Sequence, residues 1–127
     1  AVINNRFQIM AQYARTVVTP LVAAERNALG DQNLYRRAKA LLCKSEAIMD
    51  ESSRKGLAQL RAKSQVLEIV YVKRLELQEL WENRQATSEE LREALLEWCG
   101  KAEESGIESL REFALRLRTY TMAPASA

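Results

Sequence analysis

Apolar residues recur at steps of three and four along most of the chain, which is the spacing of one face of an α-helix. Pro20 lies inside the first stripe, so we expect a kink or break just before it. Gly30 is a natural left-handed terminator and should end this segment. The stripe consists of Ile3, Phe7, Met10, Ala14, Val17 and Leu21.

Further helices are predicted along the rest of the chain, with start signals between them. A second helix should run from about Leu34 to Met49, and Asp50 and Ser64 should cap the two helices that follow, because Asp and Ser side chains accept hydrogen bonds from free amides. Thr87 and Glu90 form the capping-box pattern. The second helix should bury Leu34, Ala38, Leu41, Leu42 and Ile48.

The segment from Gln65 to Arg84 is the most apolar part of the chain. Its apolar residues cover more than one face, which is typical of a central helix. The sequence therefore predicts an all-α fold, a compact bundle of five to six helices around a central helix at about residues 65–84. Residues 1–120 should form a single helical domain and residues 121–127 a disordered tail.

The 127 residues include no histidine. Imidazole is the usual general base near neutral pH and the commonest metal ligand, so its absence excludes most hydrolases and most zinc or histidine-ligated iron sites. No nucleophile–base pair, phosphate loop or dinucleotide fingerprint occurs. We expect no catalytic residue, cofactor or metal in this chain. Because it begins at Ala1, we expect a fragment or a processed chain.

The net charge of +2 hides a weak asymmetry. Residues 1–60 carry nine Lys/Arg and five Asp/Glu, a net charge of +4, whereas residues 61–127 carry ten and twelve, a net charge of −2. This difference is too small to indicate a nucleic-acid partner, which usually needs a dense basic face. The densest basic cluster, a candidate contact for phosphates or lipid headgroups with a solvated surface as the alternative, is Arg36, Arg37, Lys39 and Lys44.

The cysteines and carboxylates are weaker candidates for chemistry. Cys43 and Cys99 lie in helical pattern, where a cysteine usually acts as a small buried hydrophobe. Metal sites in carboxylate-bridged bundles normally include Glu-x-x-His pairs, and histidine is absent, so the glutamates are expected on solvated faces. They lie in two groups, Glu89, Glu90, Glu93 and Glu97, then Glu103, Glu104, Glu108 and Glu112.

Whole segments of the chain resemble the C-terminal region of bacterial membrane fatty acid desaturases. The opening part, from Asn5 to Leu21, resembles the region after their last membrane span. The closing part resembles their tail, and its most specific stretch runs from Trp98-Cys99 through Ala102-Glu103-x-Ser105-Gly106-Ile107. The resemblance implies a parent enzyme that binds two irons through histidine clusters, none of which this chain contains.

Residues from about 37 to 118 also resemble the helical insertion within the catalytic domain of some DDE-type insertion-sequence transposases. This family shows a similar Leu-x-x-Leu-Trp and a similar Ala-Glu-x-Ser-Gly-Ile run. The opening segment favours the desaturase. In the transposase, the catalytic acids would lie outside the matched segment.

The desaturase resemblance implies a non-catalytic C-terminal domain of an enzyme of lipid metabolism that serves assembly, stability or partner docking. Its expected partners are a parent membrane domain or a second copy, its membrane contact is peripheral through the parent, and its expected location is the cytosolic face. Two alternatives stay open. One is a transposase insertion module with a DNA-associated role, and the other is a stand-alone helical adaptor or homo-oligomer that pairs through the stripe from Ile3 to Leu21.

Overall fold

A computed structural model describes the backbone of residues 6–122 and the side chains of residues 6–119, and every regular element in them is helical. The first rod is nearly continuous from residue 6 to residue 29. Counted as one, it gives six helical rods in these residues, which confirms the all-α bundle of five to six helices. The elements are α1 (Arg6–Tyr13), a π-helical turn (Ala14–Val18), α2 (Thr19–Ala24), α3 (Arg26–Leu29), α4 (Gln32–Leu42), a 3-10 turn (Glu46–Ile48), α5 (Glu51–Lys63), α6 (Gln65–Glu82), α7 (Ser88–Glu103) and α8 (Glu108–Met122).

The break expected before Pro20 takes the form of the π-helical turn. Proline has no backbone N–H to bond the preceding turn, so the helix must accommodate an unpaired carbonyl there. The backbone N–H of Thr19 bonds the carbonyl oxygen of Ala14, and its hydroxyl donates to the same oxygen at 3.0 Å. The rod ends where predicted, at Gly30 with a left-handed φ of 67°.

The apolar face of the first rod differs from the predicted stripe. Phe7 is 75% exposed, and Ile3 lies outside the described residues. A π turn holds more residues than an α turn, so a stripe extended across it at a constant period selects the wrong face. The buried residues are Ile9, Tyr13, Val17, Val18 and Val22. The bundle covers this face, whereas Phe7 on the predicted stripe stays exposed, and pairing with a second copy stays a prediction.

The second predicted helix is too long. Helix α4 ends at Leu42, and the hydroxyl of Ser45 accepts a hydrogen bond from the amide of Ala47 to begin the short 3-10 turn. Such a local side-chain bond offers the backbone an alternative to continuing the helix. As a result Ile48, predicted to point inward, is 77% exposed, and Met49 is buried instead.

The predicted start signals are confirmed. The carboxylate of Asp50 accepts from the amide of Ser53 at 2.7 Å, and the hydroxyl of Ser64 accepts from the amide of Leu67 at 3.1 Å. Thr87 and Glu90 form a complete capping box. These bonds set the first residues of α5, α6 and α7.

Helix α6 lies at the centre, as predicted, and packs against α1, the π turn, α2, α5 and α7. An aromatic cluster of Tyr13, Trp98 and Phe113 joins it to three other rods, with edge-on ring pairs whose centroids are 5.1–6.3 Å apart. The indole of Trp98 donates to the carbonyl oxygen of Lys73 at 2.9 Å. The core therefore depends on contacts between the two ends of the chain.

Helix α8 extends to Met122, two residues into the predicted tail, and residues 123–127 lie outside the described residues. Within the described part of the chain, no helix combines the length and apolarity needed to cross a bilayer.

Candidate nucleic-acid interface

A division of the chain at the α5–α6 junction separates its charges more sharply than a division after residue 60. The α5–α6 junction lies at Ser64. Residues 1–63 carry eleven Lys/Arg and five Asp/Glu, a net charge of +6, whereas residues 64–127 carry eight and twelve, a net charge of −4. The boundary between helices therefore separates a basic half from an acidic half.

Helix α4 distributes the predicted basic cluster over two faces. Each residue turns an α-helix by about 100°, so Lys39 lies about 200° from Arg37, on nearly the opposite side. Arg36 and Lys39, three residues apart, are neighbours on one exposed face. Lys44 lies beyond the end of the helix. The structure thus keeps Arg36 and Lys39 together and separates Arg37 from them.

The face that carries Arg37 borders a shallow groove between α4 and α5. The groove has a volume of about 460 Å³, and its lining includes Arg37, Glu51, Lys55 and Gln59. The guanidinium of Arg37 donates to the carbonyl oxygen of Ser52 at 3.3 Å. The groove therefore combines two cations with one carboxylate.

Gly56 allows the close approach of helices α4 and α5. A Cβ atom at this position would come within 3.2 Å of Nη2 of Arg37 and 3.0 Å of Cδ1 of Leu41. The carboxylate of Asp50 caps the N-terminal end of α5. Its pKa is lowered mainly by the hydrogen bonds from Ser53, with a smaller contribution from Arg37 and Lys44. Carboxylates therefore accompany the cations on this side of α4.

The opposite face of α4 is also basic. Arg36 and Lys39 are exposed and make no ion pair with the residues that the structure describes. Beside them, the guanidinium of Arg26 lies over the ring of Tyr35, with its central carbon 5.0 Å from the ring centroid. We call Arg26, Tyr35, Arg36 and Lys39 the outer strip.

Sequence reasoning missed half of the outer strip. Arg26 lies on α3, ten residues before Arg36, and Tyr35 is uncharged, so neither belongs to the dense run of cations. The sequence pattern that could have identified Tyr35 is its i, i+4 spacing to Lys39, which places an aromatic ring next to a cation on one helix face. The approach of Arg26 depends on how α3 packs against α4.

Three other cations of the basic half already have internal partners. Arg61 forms an ion pair with Glu68 that raises the pKa of the guanidinium and lowers the pKa of the carboxyl, in both cases chiefly through their hydrogen bond. The ammonium of Lys63 donates to the carbonyl oxygen of Leu29 at 3.0 Å, and Arg54 donates to the carbonyl oxygen of Glu46 at 3.2 Å. These three cations connect the helices of the bundle.

The cysteines are unpaired thiols in ordinary packing positions. Cys99 is buried and Cys43 is half-buried. Burial raises the pKa of both, and raises that of Cys99 to about 11. A reactive cysteine needs a lowered pKa, so neither thiol is activated as a nucleophile.

The carboxylates form pairs with cations instead of a metal site. Glu97 pairs with Lys101 at 3.4 Å, Glu108 with Arg111 at 3.2 Å, and Glu103 with Arg118 at 2.9 Å. Among the described residues, no three of His, Cys, Asp and Glu are grouped so that they could hold a metal ion.

Comparison with known proteins assigns the chain to a family. The family model for ISL3-type DDE transposases, described as "Transposase", matches residues 1–123. A curated relative, the transposase for insertion sequence element IS1001 of Bordetella parapertussis, is 32% identical over 124 residues, which are 94% of this chain and 30% of that protein. The chain thus spans less than a third of this relative's length. No solved structure shows significant similarity.

This match overturns the desaturase interpretation and its terms of lipid metabolism and oxidoreductase chemistry, and it confirms the transposase resemblance. The error came from the opening segment. Short stretches of sequence such as the one around Phe7 recur in unrelated amphipathic helices. The transposase family model matches this opening segment together with the rest of the chain. In the structure the opening rod packs with α7 and α8 through Tyr13, Trp98 and Phe113. The opening and closing parts therefore belong to one folded unit.

Proposed function

Since the chain belongs to the ISL3 family of DDE transposases, we propose that it is a non-catalytic helical part of such an enzyme whose basic half contacts the DNA backbone. The observation that supports this most strongly is the separation of charge at Ser64, with +6 before it and −4 from it onward. Lys and Arg side chains that neutralise phosphates supply most of the affinity in non-specific DNA binding. Clustered Lys and Arg on one face are the footprint expected of that role, and Arg36 and Lys39 are two such cations on an exposed face of α4.

The non-catalytic part of the proposal is supported by the environment of the acidic residues. Phosphoryl-transfer sites that use metal ions bring several carboxylates together around the ions. Among the described residues of α7 and α8, Glu97, Glu103 and Glu108 each pair with a single cation, and no metal-ligating group of three is found. This arrangement supports the proposal that the chemical step takes place in another part of the enzyme.

The proposal is tested by binding of the 127-residue chain to a fluorescently labelled DNA duplex of about 30 base pairs, measured by anisotropy. We expect binding at 50 mM salt that weakens as the salt concentration rises. A variant in which the four predicted cations are changed to Gln should bind more weakly. These substitutions are Arg36→Gln, Arg37→Gln, Lys39→Gln and Lys44→Gln.

The matched control removes the same number of charges from the acidic half. It carries Arg84→Gln, Lys101→Gln, Arg111→Gln and Arg116→Gln, and it should retain most of the affinity because these cations lie among carboxylates. Circular dichroism must show that both variants remain folded. Absence of DNA binding at 50 mM salt, or an equal loss of affinity in both variants, would contradict the proposed function.

A further inference from the structure

We infer that the outer strip is the surface that seats the DNA backbone, with Arg26, Arg36 and Lys39 as its phosphate contacts and Tyr35 as the residue that positions Arg26. This inference rests on the proposed function and specifies its site. It selects one of the two basic faces of α4 and adds two residues that the basic cluster in the sequence did not contain.

The geometry of α4 places three members of the strip on one side. Tyr35 and Lys39 are four residues apart and Arg36 and Lys39 three apart, and both spacings bring Cβ atoms to about 5–6 Å on a helix. The opposite side of α4 carries the buried residues Leu34, Ala38 and Leu41. Arg36 and Lys39 therefore lie on the side of α4 directed away from the core, and Tyr35 lies at the edge of that side.

Tyr35 connects Arg26 to this face. The ring of Tyr35 is half-buried and packs against the core, and the guanidinium of Arg26 lies 5.0 Å from its centroid. A guanidinium stacked on a fixed ring has fewer conformations to lose when it binds a phosphate. Tyr35 thus restrains the exposed Arg26 guanidinium against the side of α4 that Tyr35 shares with Lys39.

The balance of charge favours the strip over the groove between α4 and α5. The two carboxylates nearest the strip in sequence are already engaged, since Glu25 accepts a hydrogen bond from the hydroxyl of Ser64 and Asp31 caps the amides of Asn33 and Leu34. In the groove, by contrast, Glu51 shares the lining with Arg37 and Lys55. A phosphate in the groove would meet Glu51 directly, whereas the four residues of the strip include no carboxylate.

The inference has a quantitative consequence for salt dependence. Each phosphate neutralised on a DNA duplex contributes about −0.9 to the slope of log affinity against log salt concentration. Three contacts therefore contribute a slope of about −2.7, which is a loss of about 40-fold in affinity between 50 and 200 mM salt. With two contacts the slope contribution is about −1.8 and the loss about 12-fold.

The experiment compares single variants of the 127-residue chain by anisotropy over this salt range. Arg26→Gln, Arg36→Gln and Lys39→Gln should each make the slope shallower by about 0.9. Tyr35→Leu should have the same effect as Arg26→Gln although it removes no charge, and Tyr35→Phe, which keeps the ring, should bind like the wild type. A purely structural role of Tyr35 would change the melting temperature without changing the slope.

The groove provides the matched control. Arg37→Gln combined with Lys55→Gln should leave the slope unchanged, because both side chains lie outside the strip. If DNA binds and this pair makes the slope shallower while the strip variants do not, the inference is wrong and the proposed function stands. If no DNA binds at all, the proposed function fails first.

A lipid surface is the other phosphate-bearing partner that the strip could fit. Sedimentation with vesicles of neutral lipid containing 30% phosphatidylserine, in the same 50 mM salt, separates the two partners. We expect the strip variants to change DNA binding and the chain to show weaker retention on the vesicles. Retention on vesicles that exceeds DNA binding and is lost in Arg36→Gln and Lys39→Gln would overturn the inference.

Discussion

The hydroxyl of Tyr13 donates a hydrogen bond of 2.6 Å to the backbone carbonyl oxygen of Val70, 57 residues away along the chain. Tyr13 lies at the end of α1, immediately before the π-helical turn, and its side chain is fully buried. Its ring also contacts Trp98 and Phe113 edge-on. This one side chain therefore ties the opening rod to the central helix and to the last two helices.

We expect Tyr13→Phe to lower the free energy of unfolding by about 1 kcal/mol, the usual net value of one buried hydrogen bond. The effect stays small because the ring contacts remain and the carbonyl of Val70, inside α6, keeps its intrahelical partner. Urea denaturation followed by circular dichroism measures it. Tyr35→Phe is the control. An equal loss of unfolding free energy in this variant would show that the hydrogen bond from Tyr13 to Val70 makes no specific contribution to stability.

The different burial of Leu60 and Ile48 predicts very different costs of truncation. Leu60 is fully buried, so Leu60→Ala should destabilise the fold by about 2–5 kcal/mol through lost burial and a residual cavity. Ile48 is 77% exposed, and Ile48→Ala should change stability by less than about 0.5 kcal/mol. The same urea titration compares them. A large loss of stability in Ile48→Ala would contradict the exposed position of this side chain.

Two glycines near the α7–α8 connection should respond to alanine in opposite directions. Gly106 has a φ of 81° in open space, so Gly106→Ala pays only the left-handed backbone penalty, about 1 kcal/mol. Gly100 lies inside α7, and an added Cβ would meet its nearest neighbour at an ordinary 3.9 Å. Gly100→Ala should therefore stabilise the fold by about 0.5–1 kcal/mol. Thermal melts of both variants give the signs, and two shifts in the same direction would contradict this account.

Stability should fall in alkaline solution because burial raises the pKa of Cys99 to about 11 and also raises the pKa of Tyr13. Between the ordinary value of about 9 for the thiol and its folded value, the unfolded chain has released a proton that the folded chain keeps. The free energy of unfolding therefore decreases as pH rises through this range, and the contribution is fully present below it.

Urea titrations at pH 7.5, 9 and 10 test this dependence. The variant Cys99→Ala removes the thiol and should show a smaller decrease in stability between pH 9 and 10 than the wild type. Identical decreases in the two proteins would assign the alkaline loss to other groups.

The candidate site was only partly predictable from the sequence. Arg36 and Lys39 were identified because they belong to a dense run of cations, but the run gave no means of separating them from Arg37. That separation follows from the helical turn of α4, and the choice between its faces follows from the position of Glu51 in the groove. Arg26 joins the strip through a contact with Tyr35 that no local pattern indicates.

The sequence by itself determined the helical class, the central place of α6 and the starts of α5, α6 and α7. These features depend on apolar periodicity and on side chains such as Asp50, Ser64 and Thr87, which bond amides only two or three residues away. Tertiary structure decided the phase of the opening rod, the exposure of Ile48 and the membership of the outer strip. A core contact such as that of Tyr13 with Val70 and the approach of one helix to another depend on groups that are distant along the chain, so local spacing carries no information about their energies. The π turn arises locally before Pro20, but a stripe extended at a constant period does not include the change of phase that it causes.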